Sequence, residues 1–188
     1  FSFVYDSSKL KQPPQSLKEL VERNDLKIIY EDPRTSTPGQ GLLLWVKQVY
    51  GEKAPAAWEQ LAKKTVTVTK GWSEAYGMFL KGQSDLVLSY TTSPAYHRLA
   101  EHNLQYRAAL FSEGHVRQVE VAAQLKNAAQ PKLAQQFMQF VLSDRFQNLI
   151  PEGNWMYPVT NVVLPKDFNQ NETPAKTLSV NAKKLGTQ

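Results

Sequence analysis

The 188-residue sequence has no cysteine and only three histidines. The first absence removes disulfides, thiolate nucleophiles and thiolate-bound zinc together, and leaves the compartment open. The second leaves little imidazole for acid–base or metal chemistry. His97 and His102 are five residues apart, not the i, i+4 spacing of a helical metal pair, and His115 is the third. No HExxH, GxSxG, GxGxxG or P-loop occurs, so neither a catalytic constellation nor a metal site is expected. No stretch approaches 18 uncharged apolar residues, which excludes a membrane-spanning helix by length. Long basic runs are missing too. The formal net charge is +5, but the densest groups are the pairs Lys63-Lys64 and Lys183-Lys184. Without an Arg-rich arm or an RNP-like aromatic motif, this reads as a solvated basic surface, and no nucleic-acid partner is expected. Glu31 and Asp32 are adjacent carboxylates beside Arg34 and read as structural.

What is present is a foldable composition. Apolar residues make up 41% and charged residues 21%, which argues against a disordered tail or a coiled-coil rod. At this length a folded chain buries about 70% of the surface its unfolded form exposes. The opening FSFVYD reads as a strand already under way. No basic stretch followed by an apolar run and a cleavage site precedes it, so the expectation is a processed or truncated piece.

Hydrophobic periodicity alternates between strand and helix. Strands are expected over residues 1–5, 26–31, 65–69, 85–90, 106–111 and 116–125. Ser16 with Glu19 forms a capping box opening a helix that buries Leu17, Leu20 and Val21. Thr37 is the candidate N-cap of a helix with Pro38 at its first position, burying Leu42, Leu43, Trp45, Val46 and Val49 and stopping at Gly51. Further helices are expected over 56–64, 73–81 and 95–101, the last with Ser93 as N-cap and Pro94 at its first position. An amphipathic helix follows over 131–142, and Ser143 caps a shorter one. Trp45, Trp58, Phe137 and Phe140 are assigned to the core. Residues 151–165 read as irregular, and the polar tail from 166 onward as loosely held. The alternation predicts an α/β fold with a sheet covered on both faces.

In such sheets ligands bind beyond the carboxyl ends of strands. Three loops stand out there: residues 35–39, 71–73 and 90–94. The first and third place hydroxyls (Ser36, Thr37, and Thr91, Thr92, Ser93) at helix N-termini, where unpaired N–H groups and the dipole favour an anion. Either loop alone also reads as plain capping. Trp72, Tyr90, Tyr96 and Trp155 add rings suited to stacking a flat heterocycle or facing an organic cation.

The segments DPRTSTPGQGLLLW, VTKGWSEAYGMFLKGQSDLVLSYTTSPAYH and EGNWMYPV, in this order, closely resemble the periplasmic thiamine-binding proteins of bacterial ABC importers. These are a branch of the clamshell solute-binding proteins related to iron- and sulfate-binding members. The resemblance runs from Phe1 to about Pro165 and fades beyond Phe168. It implies a periplasmic-binding-protein-like fold, here mainly one lobe with a central mixed sheet flanked by helices. Residues 1–120 would form the second lobe with hinge strands, 121–165 the segment that returns to the first lobe, and 166–188 a polar tail.

The resemblance further implies no enzymatic activity, no cofactor, a periplasmic location, and thiamine or its mono- or diphosphate as ligand. A membrane permease of the importer would be the partner. The family's ligand contacts fall on Ser36, Thr37, Trp72, Tyr90, Thr91, Thr92 and Ser93, with Tyr96 and Trp155 at aromatic positions lining the ring site. This sequence departs from the family in lacking its first part and a Trp-containing helix at the end. The apolar face of Leu133, Phe137, Phe140 and Val141 therefore needs another cover. Folding back onto this lobe or a homodimer would supply one. Two other readings compete: the effector-binding domain of a transcription regulator with the same fold, and an enzyme using the hydroxyl loops for group transfer.

Overall fold

The computed structural model describes residues 1–170 and 172–180. The Lys183-Lys184 pair and the end of the polar tail lie outside the described residues. Five strands, β1 (Ser2–Asp6), β2 (Ile28–Glu31), β3 (Thr65–Thr69), β4 (Leu86–Ser89) and β5 (Tyr106–Ala109), form one sheet in the order β3-β2-β4-β1-β5. β2 runs parallel to β3 and β4, while β1 is antiparallel to β4 and β5. The sheet is therefore mixed, and the carboxyl ends of β2, β3 and β4 share one edge.

Helices cover both faces, as the alternation predicts. On one face α1 (Leu17–Glu22), α2 (Thr37–Tyr50) and α3 (Ala54–Lys64) bury Leu17, Leu42, Trp45 and Leu61 against Phe3, Ile28 and Leu88. On the other, α4 (Trp72–Leu80) seats Ala75, Tyr76 and Phe79 on Val4, Ile29 and Val87. The fully buried Trp45 donates its Nε1–H to the Gly114 carbonyl at 3.0 Å. α5 (Ser93–Ala100) follows β4 and packs toward β5.

Ser16 caps α1 as expected, its Oγ accepting from the Glu19 N–H at 2.9 Å, but the reciprocal half of the box is displaced by one residue: Glu19 accepts from the Gln15 N–H at 2.7 Å, not from that of Ser16. Lys64, half of a pair read as solvated, is instead buried. Its ammonium donates to the carbonyls of Leu20 and Val21, each at 2.7 Å, and to that of Arg23. It thereby satisfies the carbonyls that end α1.

Several expectations are corrected. Ser36, not Thr37, is the N-cap of α2, and Thr92, not Ser93, that of α5; neither makes a side-chain cap bond. Pro38 and Pro94 therefore sit at the second helical position. Leu43 faces outward, 45% exposed, and Trp58 is half-buried against Tyr30. The strand expected over 116–125 shrinks to β6 (His115–Val116). Val119, Val121 and Leu125 are exposed, because alternation makes a strand only where a neighbour completes its ladder.

The tail is not loose where it is described. β7 (Thr177–Leu178) pairs with β6, Phe168 is buried, and Glu172 accepts from Arg98 at 2.8 Å. Beyond β6 come α6 (Pro131–Val141), α7 (Asp144–Gln147) and α8 (Ile150–Gly153), which pack on one another. Phe137 and Phe140, assigned to the core, are exposed, as is Leu133. Among the described residues the α6 face stays uncovered, so it does not fold back onto the sheet and its helices.

Candidate functional site

The three loops singled out by composition leave the carboxyl ends of β2, β3 and β4 side by side. Hydrogen bonds fasten the first two. Asp32 N–H donates to the Thr69 carbonyl at 2.8 Å, and Thr35 Oγ1 to that of Lys70 at 2.7 Å. Within the first loop, Arg34 pairs with Asp32 at 2.6 Å, and this hydrogen-bonded guanidinium holds the Asp32 carboxyl down at about 2. The first turn of α2 lies close on β2: a Cβ on Gly39 would come within 2.2 Å of the Glu31 carbonyl oxygen. Only glycine permits that approach.

Trp72 begins α4 and Tyr76 follows one turn later, so their rings stack at 4.9 Å between centroids. The Trp72 Nε1–H donates to Ser89 Oγ at 2.7 Å, and Ser89 Oγ lies 2.7 Å from Ser93 Oγ. The indole, 38% exposed, is thus fixed in orientation while presenting a face. Ser93 Oγ also accepts from the Tyr90 N–H at 3.3 Å, closing the turn into α5.

Buried His97 lies 3.0 Å through Nε2 from the Tyr76 hydroxyl and 2.6 Å through Nδ1 from Glu101 Oε2. Nδ1–H donates to the carboxylate, and the hydrogen bond between Nε2 and the tyrosine makes His97 and Glu101 a strut behind the Tyr76 ring. Burial pushes the Tyr76 hydroxyl pKa upward and that of Tyr90 to about 12. Both are neutral phenols near pH 7.

The fourth side of the site comes from the chain beyond α8. Trp155 stands edge-on to Tyr96 at 5.2 Å, with its backbone at φ 54°. That left-handed conformation is uncommon for a bulky residue. Thr92 Oγ1 lies 3.8 Å from Met156 Sδ.

Several of these groups border a half-open cavity of about 640 Å³ lined by Trp72, Tyr76, Tyr90, Tyr96 and Trp155, with Ser93, His97, Glu120, Asn154 and Met156 completing its wall. Of the nine residues selected from sequence, Trp72, Tyr90, Ser93, Tyr96 and Trp155 line it. Ser36, Thr37, Thr91 and Thr92 stand on loops at the same sheet edge without lining it. Ser36 and Thr92 are buried there and Thr37 is exposed.

Tyr76, His97, Glu120, Asn154 and Met156 were not anticipated. Tyr76 is legible in retrospect, one helical turn after Trp72. Glu120 was hidden within the expected strand over 116–125. The cavity offers stacking surface, buried hydroxyls and a carboxylate, and among the described residues no three His, Asp or Glu side chains gather as metal ligands.

Residues 3–152 match the bacterial extracellular solute-binding protein family. The chain is 65% identical over 189 aligned residues to the thiamine-binding periplasmic protein of Escherichia coli K12, covering 100% of this chain and 58% of that protein. A solved periplasmic thiamin binding protein superposes with a TM-score of 0.96 at 64% identity, covering 100% of this chain and 59% of that one. Iron-bound HitA from Pseudomonas aeruginosa, at 21% identity and a TM-score of 0.64 over 89% of this chain and 58% of that one, shares the fold alone.

Proposed function

The chain belongs to the bacterial extracellular solute-binding proteins, and we propose that it holds thiamine, or thiamine mono- or diphosphate, in the periplasm for an ABC importer. The observation that carries this reading is the convergence of Trp72, Tyr76, Tyr90, Tyr96 and Trp155 on one cavity, in a chain whose relatives are named for thiamine. Stacked rings hold the pyrimidine and the cationic thiazolium. The loops carrying Ser36, Thr37, Thr91 and Thr92 serve the hydroxyethyl or phosphate end. Ser36 Oγ is not engaged in capping α2, so the start of that 14-residue helix offers both its N–H groups and a hydroxyl to an anion. The work of the protein is binding and release, with no chemical step and no cofactor, and delivery is to the membrane permease of the importer.

The chain spans about 58% of the length of that relative. In this reading residues 1–120 make one lobe with the hinge strands, residues 121–165 return to the other lobe, and the facing wall of the cleft belongs to the length not spanned. The 188 residues alone then bind more weakly than a two-lobed relative, and a second copy covers the α6 face. Isothermal titration of thiamine tests the site. Trp72→Ala and Tyr90→Ala each weaken binding by about 1–2 kcal/mol, roughly five- to thirty-fold in Kd. Isotherms unchanged in both variants refute it.

A further inference from the structure

Five rings explain how the cavity stacks a ligand but not how it selects for charge. Among the residues lining it, Glu120 is the one acidic side chain, and no lysine or arginine accompanies it. The other titratable acid–base group apart from the tyrosines, His97, is already engaged by Tyr76 and by Glu101, which does not line the cavity. Glu120 is solvent-exposed, and its Oε2 accepts from Asn154 Nδ2 at 3.2 Å. That bond ties the segment leaving β6 to the loop carrying Trp155, and Asn154 and Trp155 line the same cavity. A carboxylate beside aromatic faces attracts an organic cation twice over, by its charge and through the ring quadrupoles, and it makes one negative spot on a chain of net charge +5.

We infer that Glu120 is the cation-specificity determinant of this cavity: its carboxylate is the counter-charge for a heteroaromatic cation stacked between the rings, and without it the cavity still takes the flat ring but no longer prefers the charged one. This rests on the thiamine reading above. Glu120→Gln keeps the size of the side chain and an oxygen to accept from Asn154, and removes only the charge.

The experiment titrates wild type and Glu120→Gln by quenching of tryptophan fluorescence, up to millimolar ligand and at low and high salt. Two ligands are used: thiamine, and the neutral isostere in which a thiophene replaces the thiazolium. The expected result is that Glu120→Gln loses about three- to thirty-fold in affinity for thiamine at low salt, less at high salt, while affinity for the neutral isostere stays within about two-fold. Equal loss for both ligands, or no loss for either, overturns the assignment. If wild type binds neither ligand, the thiamine reading fails by itself. N-benzylpyridinium, a simple aromatic cation, then decides the role of Glu120: weaker binding to the variant supports it, and equal or absent binding to both proteins overturns it.

Discussion

Glu31 ends β2 fully buried, and among the described residues neither carboxylate oxygen has a hydrogen-bond partner. Ile29, two residues earlier and so on the same sheet face, lies in the core under α4. Burial without a partner disfavours the charged form and pushes the Glu31 carboxyl from its ordinary 4.5 up to about 8. The unfolded chain releases this proton near 4.5 while the folded chain keeps it to about 8. The group's contribution to stability is therefore complete below 4.5 and is lost as pH rises toward 8. Glu31→Gln removes that loss. Its stability relative to wild type rises by about 1.4 kcal/mol per pH unit between pH 5 and 8 and levels off above that. Urea unfolding of both proteins across that range checks it, and a pH-independent difference would place the ionised carboxylate in the fold. His115 illustrates the opposite case. Buried, its ring accepts from Phe111 N–H and donates to the Phe1 carbonyl, each at 2.8 Å, and desolvation lowers its pKa to about 4. Sequence reading treated Glu31 as one of a carboxylate pair and could not separate it from Asp32. Only the sheet shows that Asp32 turns to Arg34 while Glu31 turns inward.

At the scale of elements, α6 is the unfinished part. Its apolar stripe was legible from 3.6-residue periodicity, but Leu133, Phe137 and Phe140 are 57%, 53% and 42% exposed. Periodicity tells that a helix has a face to bury and says nothing of what buries it. The 188-residue chain is expected to self-associate through this face at micromolar concentration, and Phe137→Glu to shift it to monomer with its far-ultraviolet circular dichroism unchanged, since the residue packs into no core within the chain. Sedimentation velocity over a concentration series checks this, and a wild-type monomer throughout would remove the second copy from the picture. The strands and helices of residues 1–109 were largely readable where local signals bound the buried runs: Ser16 before α1 with Glu19 in its first turn, Pro38 within the start of α2, Gly51 at its end. The caps slipped by one residue because Ser36 and Thr37, like Thr92 and Ser93, are equally capable neighbours. The strand over 117–125 failed for a non-local reason, since among the described residues no partner strand lies beside it.

At the scale of the molecule, the parallel strands β3, β2 and β4 bring three loops to one edge, and the turn after α8 closes the site with Trp155. The loops were legible as hydroxyl- and aromatic-rich junctions. Their convergence depends on strand order, which residue spacing does not encode, and so do the contributions of Tyr76, His97 and Glu120. The edge now has two parts: an aromatic cavity, and beside it the start of α2 with Ser36, which does not line that cavity. A ligand with a flat ring system at one end and an anion at the other would span both. A crystal structure of the protein with bound thiamine monophosphate tests this most directly. The predicted result places the ligand rings at van der Waals distance, about 3.5–4 Å, from Trp72 and the Tyr96–Trp155 pair, with the phosphate directed toward the first turn of α2. Ligand bound away from these rings, or a cavity still empty at saturating ligand, would contradict it.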